Sequence, residues 1–132
     1  MNYLFNLNRD DALRQRIMGI EASYEFGGGE RYEGMTLETL DSLIENGFVD
    51  TEHYFNDCPK VAVFRSFMER YPDEGVTAQG FLISPDRNDY HVSVEGLEAK
   101  SNSRAFIEDF KRTFGKADEL ECGDGYQRCW YD

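Results

Sequence analysis

The sequence predicts an α+β domain: three N-terminal helices followed by a β-β-α-β-β unit with an antiparallel sheet. Two observations carry this. In the first half, apolar residues recur at helical spacing, and after Gly75 the period changes from helix-like to two. Helices segregated from an antiparallel sheet argue α+β rather than α/β. Length and composition fit one domain spanning residues 1–132. A chain of 132 residues with 40% hydrophobic and 14% aromatic residues has enough bulky material to bury a single core without metal or disulfide staples.

Asn8 is the expected N-cap of the first helix, with Asp10 and Asp11 in its first turn, where negative charge meets the positive end of the helix dipole. Leu13, Ile17, Ile20 and Tyr24 then give one apolar stripe, so a helix is predicted from about Arg9 to Tyr24. Gly27-Gly28-Gly29 stops it, and the polar run through Gly34 reads as a mobile loop. Thr36 caps a second helix that buries Leu37, Leu40, Leu43 and Ile44 and ends at Asn46-Gly47. Asp57-Cys58-Pro59 starts a third, because proline suits a first helical turn. Val61, Phe64, Met68 and Tyr71 form its buried face, and Pro72 ends it.

Val76 to Ile83 reads as a strand, Ser84 to Asp89 as a turn, and Tyr90, Val92 and Val94 as the buried face of a returning strand. His91, Ser93 and Glu95 alternate with them, which predicts a hairpin with one wet face. The Ser101–Ser103 segment caps a fourth helix carrying Phe106, Ile107, Phe110 and Phe114, closed by Gly115. A last hairpin pairs Glu119 to Cys122 with Tyr126 to Tyr131 around Asp124-Gly125.

Charge is the strongest compositional signal: 26 acidic residues against 14 basic ones give a net charge of -12. Every stretch rich in Lys or Arg is also rich in Asp or Glu, so the chain lacks the basic stripe that direct nucleic-acid binding needs. The longest apolar run, Val61 to Phe64, is far short of a membrane span, and Met1 to Leu7 lacks a charged start and a continuous signal core. Neither secretion nor membrane insertion is expected. Three cysteines, an odd number and too few for a disulfide framework, fit a reducing cytoplasm.

No catalytic or cofactor motif is present in the sequence. His53, Cys58, His91, Cys122 and Cys129 fit no zinc spacing. Cys58 at a helix start would have its thiol pKa lowered by the dipole, with His53 five residues earlier, but neither histidine has an orienting partner in sequence. Gly27-Gly28-Gly29 precedes no Lys-Ser/Thr and follows a helix, so it is not a phosphate loop. The expected function is that of a non-catalytic acidic protein, an inhibitor or nucleic-acid mimic, that engages a basic protein partner and needs no cofactor or metal. Trp130 and Tyr131, flanked by Asp118, Glu119 and Asp124, are the candidate anchors; period two puts them on opposite faces of a strand, and the favoured reading is a terminal strand docked on the sheet with one face in the core and the other visible. The alternative expectation is a small enzyme or ligand-binding domain with a site assembled around His91, Cys129 and a carboxylate, recognisable by a pocket that holds a histidine beside a cysteine or carboxylate.

Overall fold

The computed structural model describes residues 6–25 and 27–132, so residues 1–5 of the Met1 to Leu7 stretch, from which no signal segment is expected, lie outside the described residues. Helix α1 spans Asp11–Met18 and is capped by Asp10, whose carboxylate accepts the Leu13 amide at 3.1 Å. Asn8 sits two residues earlier and accepts the Asp10 amide instead. The helix stops well short of the expected Tyr24, because Gly19 takes a left-handed φ of 68° and turns the chain out.

A strand then appears where a mobile loop was expected. β1 spans Gly29–Met35 and pairs antiparallel with β2, Thr77–Ile83. Its sequence does not show it, because beyond Gly29 only Tyr32 and Met35 are buried on it, and a bulge between them, with Gly34 at φ 72°, breaks their alternation. The element order is therefore α-β-α-α-β-β-α-β-β, with strands interspersed rather than three helices leading. The α+β class stands on four helices and one five-stranded antiparallel sheet among the described residues.

Helix α2, Leu37–Glu45, is capped by the Thr36 hydroxyl, which accepts the Thr39 amide, and ends at Asn46 as its sequence signals. Helix α3, Val61–Arg70, has no side-chain cap. Two of its first amides, which no helical carbonyl can reach, are taken by the preceding loop: Val61 N–H donates to the His53 carbonyl at 2.9 Å and Ala62 N–H to that of Thr51 at 2.8 Å. Pro59 lies just ahead of the helix rather than in its first turn. Helix α4, Arg104–Thr113, is capped by Ser103. Strands β3, Gly96–Ala99, β4, Glu119–Gly123, and β5, Tyr126–Trp130, complete the sheet in the order β1-β2-β3-β5-β4, which leaves β1 and β4 at the edges.

The core joins Leu40 and Leu43 of α2, Phe64 and Phe67 of α3, and Phe106 and Phe110 of α4 to Ala78, Leu82, Leu97 and Cys129 of the sheet. Phe67 is its hub, with the rings of Tyr71, Phe106, Phe110 and Phe114 all 5.0–5.7 Å from its own. Asp109 locks α4 to the end of α3 by accepting the Tyr71 hydroxyl at 2.5 Å and Arg70 at 2.9 Å. Burial would raise its pKa, but these bonds outweigh that and hold its carboxyl below the ordinary range. Gln127, wholly buried on β5, uses its whole amide: it accepts the Ser101 amide and donates to the Ser101 and Gly123 carbonyls. No helix among the described residues is long and apolar enough to cross a membrane.

Candidate functional site

The β2–β3 hairpin is irregular, and its irregularity shapes a cleft. Ile83 donates its amide to the His91 carbonyl, Ser93 to that of Phe81, and Glu95 to that of Gln79. The Phe81 amide does not go to a backbone carbonyl, however, but to the Ser93 hydroxyl at 2.9 Å. The returning chain here presses onto β2 at Gly80, where a Cβ would stand 2.2 Å from the Ser93 carbonyl oxygen. Only glycine permits that approach. The buried Tyr32 hydroxyl fastens the same carbonyl at 2.6 Å.

His91, Ser93 and Glu95, predicted to form a wet face, instead line a cleft of about 550 Å³ with Phe81 and Ile83 of β2. Its other wall is the segment from His53 to Asn56. That wall is fixed from both ends: the His53 carbonyl accepts the start of α3, and the Phe55 carbonyl accepts the Cys58 amide across a tight turn in which Asn56 has φ 53°. The turn lays the Phe55 ring parallel to His91, centroids 4.7 Å apart, with the His53 ring 4.0 Å from Phe55. Tyr54 stands at the rim, 49% exposed.

Electrostatics inside the cleft follow from burial. His53, 2% exposed, is pushed down to about 4, first by desolvation and then by nearby His91. Desolvation lowers His91 as well, against the pull of the Asp89 carbonyl that meets its Nδ1. Both imidazoles are therefore neutral at pH 7. Glu95, 8% exposed, is raised by desolvation, although the Ser93 hydroxyl donates to its Oε2 at 2.5 Å. Asp89 is already matched, its two oxygens taken by Arg87 at 2.7 and 2.8 Å. Among the described residues, no Lys or Arg lines the cleft, and no group of three or more His, Cys, Asp or Glu is placed to hold a metal ion.

The residues singled out in the sequence separate into distinct places. His91 is in the cleft and gains the carboxylate Glu95 as a co-lining group, but Cys129 is not there: it is fully buried in the core on β5, its thiol pushed up to about 12 by desolvation. The expected cluster of His91, Cys129 and a carboxylate is therefore not formed: His91 and Glu95 share the cleft and Cys129 is in the core. Cys58 also departs from expectation, since it precedes α3 by three residues and burial pushes its thiol up to about 12 rather than down. All three cysteines are free. Trp130 and Tyr131 are 7% and 3% exposed; Tyr131 packs on Phe64, and Trp130 lies edge-on to Phe81 beneath Arg31, so neither offers area to a partner. Asp118, Glu119 and Asp124 are exposed around the edge strand β4. Phe55 and Phe81 carry no site signal in the sequence, and the alternation that includes Ser93 and Glu95 predicts a wet face rather than the wall of a cleft. The period-two recurrence of His91, Ser93 and Glu95 was the available signal, and nothing local showed that a loop some 40 residues away would close over it.

No protein-family model matches the chain, nor does any curated protein or solved structure. The chemistry of the site accordingly rests on its own geometry.

Proposed function

We propose that the protein is a small-molecule-binding domain whose ligand enters the cleft between the His53–Asn56 segment and the β2–β3 hairpin. The observation that carries this reading is the juxtaposition of an aromatic wall, formed by Phe55, His91, His53 and Phe81, with a few inward polar groups, Ser93 and Glu95 above all. A concave, largely apolar site with sparse, fixed polar groups is the form that ligand sites take. Neutral imidazoles beside aromatic rings favour stacking on a planar or apolar group. The test is an NMR titration of the full-length chain with a library of small aromatic compounds. Saturable amide shifts should concentrate at His53–Asn56, Phe81, Ile83 and His91–Glu95; compounds that shift only residues elsewhere, or none at all, would sink the reading.

A second reading has its own support. With a net charge of -12, the chain exposes Glu119 and Glu121 on β4 and Asp118 and Asp124 at its ends, and among the described residues no further strand pairs with the outer edge of β4. That arrangement suits an acidic protein, an inhibitor or nucleic-acid mimic, that steers itself onto a basic partner. A basic protein captured from lysate at low salt should then be released at high salt and lost from a variant carrying Glu119→Lys and Asp124→Lys. Capture indifferent to both would remove this reading.

A further inference from the structure

Resting on the ligand-binding reading, we propose that the cleft is selective for an organic ammonium ion, a primary or methylated amine carried on an apolar or aromatic group, with Glu95 as its counter-ion. Four features of the cleft converge on that chemistry. First, the walls offer ring faces: Phe55, Phe81 and Tyr54 line the cleft together with two uncharged imidazoles. The negative face of an aromatic ring attracts a cation, most strongly where water is excluded. Second, the two carboxylates that line the cleft are not equivalent. Asp89 is occupied by Arg87, whereas Glu95 forms no ion pair among the described residues. Its Oε2 takes the Ser93 hydroxyl, and its Oε1 accepts no hydrogen bond among those residues. Glu95 Oε1 is not among the buried atoms left without a partner, so it is open to the cleft, where an ammonium can donate to it in place of water.

Third, the local cations are committed elsewhere. Arg31 lies over the Trp130 ring at 4.8 Å and acts on Glu95 only as a nearby charge that favours its ionised form, without an ion pair; Arg14 is bonded to Asp11, and Arg87 to Asp89. None lines the cleft, so an anionic ligand would meet Glu95 with no partner. Fourth, the chain's charge of -12 draws cations and repels anions before contact. Burial opposes ionisation of Glu95, and a bound ammonium offsets that cost directly.

The experiment compares, on the 132-residue chain by NMR, three probes that share a phenylethyl group and differ in its head group: 2-phenylethylamine, 2-phenylethanol and 3-phenylpropanoate. The amine should saturate shifts at Phe81, His91, Ser93 and Glu95 with a Kd at least tenfold below that of the alcohol, and the propanoate should give no saturable shift there. Glu95→Gln, which keeps the acceptor for Ser93 but not the charge, should raise the amine Kd about tenfold and leave the alcohol unchanged. Glu108→Gln, a loss of charge on the exposed face of α4, should change neither. Equal or tighter binding of the alcohol or propanoate overturns the ammonium assignment while leaving the cleft as a ligand site, as does an amine Kd unmoved by Glu95→Gln. Failure of all three probes to saturate any cleft residue overturns the cleft reading itself, and this inference with it.

Discussion

Replacing Arg14 by alanine is expected to lower the unfolding free energy by about 3–5 kcal/mol, the loss typical when one partner of a buried charged network is removed. Arg14 is the only residue of α1 that is fully buried. Its guanidinium donates to the Ile83 carbonyl at 2.9 Å, the His91 carbonyl at 3.2 Å and the Tyr24 hydroxyl at 2.8 Å, pairs with Asp11 at 2.9 Å, and lies over the Tyr90 ring at 4.3 Å. Without it, those carbonyls lose a donor, and the Asp11 carboxylate, partly buried and hydrogen-bonded, keeps its desolvation cost without its cation. For a chain of this length the midpoint of thermal unfolding should fall on the order of 10–20 °C. Arg14→Lys should recover only part of that, because an ammonium cannot span the forked set of acceptors. Chemical denaturation of both variants is the measurement. A loss below about 1 kcal/mol for Arg14→Ala, the scale of an exposed ion pair, would show that the network does not anchor α1. The same variant bears on the cleft, since Ile83 and His91 bracket the turn that Arg14 holds.

Stability should also fall as the pH drops from about 6.5 toward 4, with His53 as a principal cause. Its folded-state pKa is depressed to about 4 by burial from an ordinary 6.5. Above pH 6.5 both folded and unfolded forms are neutral, and the full stability is present. Between 6.5 and 4 the unfolded chain takes up a proton that the folded chain refuses, so stability is lost as acid is added; below 4 both forms are protonated and this contribution is exhausted. At about 1.4 kcal/mol per pKa unit, the loss attributable to His53 is roughly 3 kcal/mol across the window. His91, lowered for the same reason, acts in the same direction, whereas Glu95, raised by burial, opposes it at the acid end. Urea unfolding of wild type and His53→Gln at half-unit pH steps isolates the effect: the slope between pH 6.5 and 4 should be shallower in the variant by about 1 kcal/mol per unit. Parallel curves would mean that His53 takes up its proton over the same pH range in the folded and the unfolded chain.

What could be read in advance divides by the range of the interaction. Helices α2 and α4 were legible because Thr36 and Ser103 cap them from the neighbouring residue and their apolar faces repeat every turn. The last hairpin was legible because Asp124-Gly125 specifies its turn, with Gly125 at φ 88°. The end of α1 was misplaced because the apolar spacing continues through Gly19, whose left-handed conformation overrides it. Tyr24 is spaced as if on the helix, yet it meets α1 from a separate segment and donates to Asp11.

By itself, the sequence determined the α+β class, the acidic charge and three of the four helices to within a few residues, since these depend on composition and on contacts within one turn or one hairpin. Only the tertiary structure decided which side chains face a ligand. Arg14 is buried by carbonyls 69 and 77 residues away, and His53 meets His91 across 38 positions of chain. Such pairings leave no periodic trace, because it is the crossing of the chain over Gly80 and the seating of the His53–Asn56 turn against β2 that bring them together.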